Sequence, residues 1–153
     1  MKRPVSGSSL YLLDTNTIGY IVNGRSKRAR AALSEQIKHS VIAISSISEA
    51  EVLYGLAKKP EATRLRAAVE ALFAAISVLP WDSGAARAYG TLQVRLTAAG
   101  KSLSNMDTLI AAHAIATDAI LVTNDKAFSQ IEALRPTLNW ATDIRADSER
   151  NSA

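Results

Sequence analysis

Asp14, Glu51, Asp107 and Asp125 lie far apart in the chain, yet each falls where a β-prone run hands over to a helix or loop. Asp14 directly follows the apolar run Leu10–Leu13, and Asp125 comes two residues after Thr123, which closes the run from Ile120. The strands of a parallel sheet deliver such positions to one edge, so the four side chains are expected to converge. Ionised carboxylates repel there: a pair about 5 Å apart costs roughly 3 kcal/mol at an effective dielectric near 20. Either their protonation shifts or a divalent cation sits among them. The second answer points to metal-dependent phosphodiester hydrolysis, with a metal-activated water attacking the phosphate in line.

Two of the acids have an ordinary alternative role as helix caps. Ser45-Ser46-Ile47-Ser48-Glu49-Ala50-Glu51 offers two overlapping capping boxes, Ser46 with Glu49 and Ser48 with Glu51. If the first is used, Glu51 is free, and its shared stripe with Ile47 and Tyr54 turns it toward protein, where a carboxylate needs a partner. Asp107 can cap with Ser104, but it heads a face continued by Ile110, Ala111 and Ala114. Asp82, in Trp81-Asp82-Ser83-Gly84, reads as an N-cap and stays outside the site. His113 lies within an apolar helix and reads as a packed, hydrogen-bonded residue.

The elements that must position these acids alternate in type. Strands are expected at Leu10–Leu13, Val41–Ile44, Ile76–Leu79, Ile120–Thr123 and Leu138–Trp140, each short and apolar as in buried parallel sheets. Between them run helical stripes: Ala29, Ala32, Leu33 and Ile37; Ala50, Leu53, Tyr54 and Ala57; Leu65, Val69, Leu72 and Phe73; and Ala85, Ala88, Leu92 and Leu96, closed by Gly100. Met106–Ala116 is apolar nearly all round and reads as a helix packed between layers. The alternation predicts an α/β protein, a three-layer α/β/α sandwich around a mostly parallel sheet of about five strands.

The whole chain fits one domain: 153 residues, 48% hydrophobic, span 10–142, with polar tails at 1–9 and 143–153. A formal charge of +4 favours an anionic partner, and nucleic acid over membrane, because no long apolar run occurs. The absence of cysteine excludes a disulfide framework and a thiolate metal site, which suits the cytoplasm. No signal peptide is expected behind Met1-Lys2-Arg3-Pro4. With oxygen donors and two isolated histidines, Mg2+ is the expected cofactor and Mn2+ the alternative. Arg25, Lys27, Arg28 and Arg30 form the densest basic run and are the candidates for contacting nucleic-acid phosphates, the alternative being a solvated helix face; Lys58, Lys59, Arg64 and Arg66 form a second. Tyr20, Tyr54 and Trp81 either stack on bases or belong to the core.

Leu13-Asp14-Thr15-Asn16-Thr17-Ile18, the Glu51-Val52-Leu53-Tyr54-Gly55 block, Asp107-Thr108-Leu109-Ile110-Ala111-Ala112-His113-Ala114 and Leu121-Val122-Thr123-Asn124-Asp125 resemble, in order, the blocks of PIN-domain proteins. Within that group the chain looks like a VapC-type toxin of toxin–antitoxin pairs. The resemblance implies a metal-dependent endoribonuclease directed at tRNA or other structured RNA, leaving 5′-phosphate and 3′-hydroxyl ends. It also implies a homodimer neutralised by a VapB-like antitoxin. The apolar faces at Ile18–Val22 and Leu53–Leu56 read either as interface surfaces or as core. The acid quartet carries over to Asp14, Glu51, Asp107 and Asp125, with Thr15, Asn16, Thr123 and Asn124 as supporting hydrogen-bond partners. Two other readings stand beside it. One is a phospho-accepting receiver domain, with Asp82 as acceptor and Thr123 and Lys126 nearby. The other is a PIN-like module that binds RNA without cutting it.

Overall fold

The computed structural model describes residues 8–134 and 136–141. The tails expected at the two ends therefore lie, apart from residues 8 and 9, outside the described residues. Four strands, β1 (Leu10–Leu13), β2 (Val41–Ser45), β3 (Ser77–Leu79) and β4 (Ile120–Val122), form one parallel sheet in the order β3-β2-β1-β4. The chain walks outward from β1 through β2 to β3, then returns to place β4 on the other side of β1. Strand order thus reverses between β1 and β4, where open α/β sheets form a crevice at the carboxyl ends of their strands.

Period-two alternation explains how so short a sheet is buried on both faces. Leu12, Ala43 and Leu121 face one way, packing on α5 (Ser83–Ala98) through Leu92 and Leu96 and on α6 (Asn105–Thr117) through Ile110, Ala111 and Ala114. Leu13, Ile42, Ile44 and Val122 face the other, packing on α1 (Thr15–Val22), α2 (Lys27–Gln36) and α4 (Thr63–Ala75). Each fully buried Leu or Ile of this kind stabilises the fold by roughly 1.5–3 kcal/mol. The three-layer expectation holds.

The fifth strand does not form. Leu138 makes a single parallel bridge to Val122, with Leu138 N–H donating to Leu121 O at 3.0 Å and Thr123 N–H to Leu138 O at 2.8 Å. Beyond it Trp140 turns inward against Tyr11, their ring centroids 5.8 Å apart, so side-chain packing replaces further ladder pairing.

The helix on Ser46–Ala57, α3, corrects the expected stripe. Leu53 is 48% and Tyr54 65% exposed, while Leu56 and Ser48 are buried and Ile47 and Val52 pack on the two cores. The helix buries the side of Ile47, Val52 and Leu56, away from the stripe of Ala50, Leu53, Tyr54 and Ala57. Of the expected interface surfaces, Ile18, Ile21 and Leu56 belong to the core, and Leu53 and Tyr54 stay on the surface. The helix α5 ends as expected: Gly100 takes a left-handed φ of 65° and donates to Thr97 O, while Lys101 N–H reaches back to Leu96 O at 2.9 Å.

Candidate active site at the carboxyl edge of the sheet

Asp14 ends β1 and caps α1, and its two oxygens are held from different elements. Oδ1 accepts from Thr17 N–H at 2.7 Å, as an N-cap should, and Oδ2 accepts from the Thr123 hydroxyl at 2.5 Å, across the β1/β4 switch point. The residue is only 3% exposed. Burial, foremost, raises its pKa above the usual carboxylate value, the bonds from Thr123 and Thr17 oppose that, and the nearby negative charge of Asp107 adds to it.

Glu51 reaches the same edge from α3. Neither capping box is used: β2 runs one residue further than expected, so Ser45 caps α3 by accepting from Ile47 N–H. Ser46 Oγ instead accepts from Trp81 N–H. Glu51, half-buried, accepts at Oε1 from the Thr15 hydroxyl at 2.7 Å, which ties it to the residue after Asp14. Asp107 sits in the first turn of α6, its N–H donating to the capping Ser104 Oγ. Asp125 gives its N–H to Thr123 Oγ1 at 2.9 Å and accepts from Ala127 N–H, capping the 3-10 helix Lys126–Gln130. Thr123 therefore links Asp14 to Asp125, while Thr15, next to Asp14, links to Glu51.

Among the described residues, no three acid or imidazole side chains form a ready-made metal cage. The donor set still suits a hard cation. All four groups are carboxylates, each anchored oxygen of Asp14 keeps a second lone pair, and a cation would offset the burial and repulsion that Asp14 bears. Magnesium is commonly held through one or two carboxylates and several waters.

Of the supporting residues, Thr15 and Thr123 hydrogen-bond Glu51 and Asp14, and the asparagines, proposed partners of the acids or of metal-bound water, lie apart from them. Asn16 is exposed, and Asn124 donates to the Tyr20 hydroxyl at 2.7 Å. Sequence reasoning passed over Ser48, fully buried with its Oγ 3.2 Å from Thr15 Oγ1. Its place one helical turn before Glu51 was the signal.

Asp82 is the N-cap of α5, accepting from Ala85 N–H. His113 is buried, with Nδ1 2.8 Å from Ser45 Oγ, and burial holds its pKa below the ordinary imidazole value, partly opposed by Asp82. Trp81 is half-buried and donates from its indole to Leu109 O, whereas exposed Tyr54 carries Lys58 Nζ 4.6 Å from its ring centre.

A groove of about 280 Å³ runs from Thr15 between α1, α3 and α4, rimmed by Arg25, Lys58 and Lys59. Of the basic run, Arg25 lines this groove, and Lys27 and Arg28 do not. Arg30 is a structural brace: its Nε donates to Ile21 O at 2.8 Å and its guanidinium packs where a Cβ on Gly24 would stand.

The parallel sheet and its reversal point, with Asp14 and Asp125 following β1 and β4 there, define an α/β domain. The PIN domain model matches residues 11–134, and the chain belongs to that family. It is 34% identical over 126 residues to Ribonuclease VapC2 of Rickettsia felis, covering 82% of this chain and 94% of that protein. It is 29% identical over 132 residues to the tRNA(fMet)-specific endonuclease VapC of Shigella flexneri, covering 86% and 98%. Among solved structures, VapBC2 from Rickettsia felis bound to a DNA fragment from their promoter superposes with a TM-score of 0.78 at 32% identity, covering 85% of this chain and 97% of that one.

Proposed function

We propose that the protein is a divalent-metal-dependent endoribonuclease, the toxin of a toxin–antitoxin pair, with Asp14, Glu51, Asp107 and Asp125 as its acid site. The observation that carries this reading is Asp14: a buried carboxyl at the strand-order reversal, anchored through both oxygens and pushed toward its neutral form by burial and by Asp107. A group so costly to ionise suits a partner cation. The names of the relatives, ribonuclease and endonuclease, support the same activity.

Asp14, Glu51, Asp107 and Asp125 would hold the cation, directly or through water. Mg2+ is the proposed ion, and Mn2+ can replace it. When bound, it supplies charge stabilisation to the scissile phosphate and lowers the pKa of a coordinated water. The chain's own share is orientation: Thr123 fixes Asp14 and the Asp125 turn, and Thr15 fixes Glu51. Arg25, Lys58 and Lys59 beside the site supply the positive charge that a polyanion needs to approach an acidic edge.

tRNA is the proposed substrate, on the strength of the Shigella flexneri relative's name. A VapB-like antitoxin is the proposed partner, since similar structures are VapBC complexes, and a homodimer is the proposed toxin unit. No helix among the described residues is long and apolar enough to cross a membrane, and the cytoplasm is the proposed location. The receiver reading loses its support because β3, which leads to Asp82, and β4, which leads to Thr123 and Lys126, lie at opposite edges of the sheet.

The test is incubation of the purified protein with tRNA and Mg2+ or Mn2+, with and without chelator, beside Asp14→Asn. Chelator-sensitive cutting that the variant lacks is the expected result. Retention of RNA without cutting under every metal condition would replace the nuclease with a binding module.

A further inference from the structure

Ser48 stands one turn before Glu51 on α3, with 0% exposure, so its hydroxyl is shut off from bulk solvent. Its Oγ lies 3.2 Å from Thr15 Oγ1, which lies 2.7 Å from Glu51 Oε1. A threonine hydroxyl carries one hydrogen, and an ionised carboxylate can only accept. The Thr15 hydrogen therefore goes to Glu51, and Ser48 supplies its own hydrogen to Thr15 Oγ1. No buried side-chain polar atom among the described residues lacks a partner, so the arrangement satisfies every member of the set.

We propose that Ser48 is a positioning residue: it locks the Thr15 hydroxyl onto Glu51, and so fixes the Glu51 carboxylate relative to Asp14. The inference rests on the metal-site reading given above. A glutamate has three rotatable side-chain bonds, and the exposed Leu53 and Tyr54 two and three residues on leave this stretch of α3 open to solvent. The hydroxyl chain holds the carboxylate from its buried side. Because Thr15 follows Asp14 directly, the same chain sets the spacing between an acid on α3 and an acid on β1. Polarisation along successive hydroxyls strengthens the last bond, the one that reaches the carboxylate.

The test uses Mn2+ alone, titrated into the full chain and followed by electron paramagnetic resonance, with thermal unfolding followed by circular dichroism on the same samples. Thr15→Val is expected to weaken Mn2+ binding about 10- to 100-fold, as loss of a ligand's hydrogen-bond partner does, and Thr15→Ser to restore it. Ser48→Ala is expected to weaken binding by roughly three- to tenfold, an effect carried through Thr15. In the Thr15→Val background the same change should cost nothing further, because its route to Glu51 is already cut. Ser48→Cys, which keeps the side-chain size but donates weakly, serves if the alanine variant does not unfold cooperatively, and the same non-additivity is expected of it. Equal losses in both backgrounds, or Mn2+ affinity unchanged by Ser48→Ala, would overturn the positioning role while leaving the metal site standing. Failure of the wild-type chain to bind Mn2+ would instead overturn the metal-site reading and the inference with it.

Discussion

The Thr123 hydroxyl donates to Asp14 Oδ2 while accepting the N–H of Asp125, so one side chain at the end of β4 sets both its neighbour on β1 and its own following turn. Removing it orphans two polar groups at once, one of them a buried carboxylate. Thr123→Val keeps the volume and loses both bonds. It is expected to destabilise the fold by about 1–3 kcal/mol, the usual range for a buried group left unsatisfied. For a domain of this size that lowers the melting temperature by roughly 2–10 °C, read by calorimetry, whereas Thr123→Ser should recover most of it. Equal melting of the valine variant and wild type would show that the Asp14–Thr123 bond contributes nothing net.

Asp14→Asn should separate stability from function. Burial and the charge of Asp107 both disfavour the ionised carboxyl, an amide oxygen can still accept from Thr17 N–H, and the amide NH2 can donate to Thr123 Oγ1 in place of the bond that Thr123 gave to Oδ2. The metal-free variant is therefore expected to melt a few degrees above wild type at neutral pH, while RNA cutting falls by at least about a hundredfold. Added Mg2+ or Mn2+ should raise the melting temperature of wild type and leave that of the variant unmoved. A variant less stable than the metal-free parent would mean that the charge on Asp14 already has adequate protein partners.

The sequence carried the site further than it carried the helices around it. Asp14 was legible because an apolar run ends in an acid that must cap the next helix, and that grammar is local. Its meeting with Thr123 depends on β4 pairing beside β1, which local pattern does not specify; only the general rule for parallel sheets anticipated it. The helix α3 misled because it is apolar on two sides. The side with Ala50, Leu53, Tyr54 and Ala57 has the better periodicity, but Ile47 and Val52 are the residues that meet the two cores, and Leu56 is buried with them on that side. The capping boxes failed for a smaller reason: β2 extends through Ser45, which then takes the cap itself. Ser48, freed from capping, is buried against Thr15 instead.

Buried His113 predicts an acid-sensitive fold. Its pKa is lowered, mainly by burial, from an ordinary value of 6.5, so the unfolded chain binds a proton more readily than the folded one. Between the unfolded value and the lower folded value, stability must fall as pH falls; above the unfolded value this contribution is complete. Urea unfolding at pH 7.5, 6.5 and 5.5 should therefore show a declining midpoint in wild type and a flatter one in His113→Gln. The glutamine is neutral throughout and can still pair with Ser45 Oγ. Identical pH profiles would assign the acid sensitivity to other groups.

Of the cations near the site, Arg30, though exposed, is the one that also braces the fold, and salt separates its role from the others. Arg25, Lys58 and Lys59 rim the groove beside Thr15, whereas Arg30 is committed to Ile21 O and to the turn at Gly24. Replacing Arg25, Lys58 or Lys59 by Gln should weaken RNA binding about equally for all sequences. Each change should reduce the slope of log affinity against log salt by about 0.7, the value for one phosphate contact on a single strand. Arg30→Gln should leave that slope unchanged and lower the melting temperature, because it frees the Ile21 carbonyl and loosens the α1–α2 turn. Filter binding of tRNA to the Asp14→Asn background between 50 and 200 mM KCl measures the slopes without cutting. If Arg30→Gln instead flattens the slope as much as Lys58→Gln does, the phosphate path runs over the α1–α2 turn rather than through the groove.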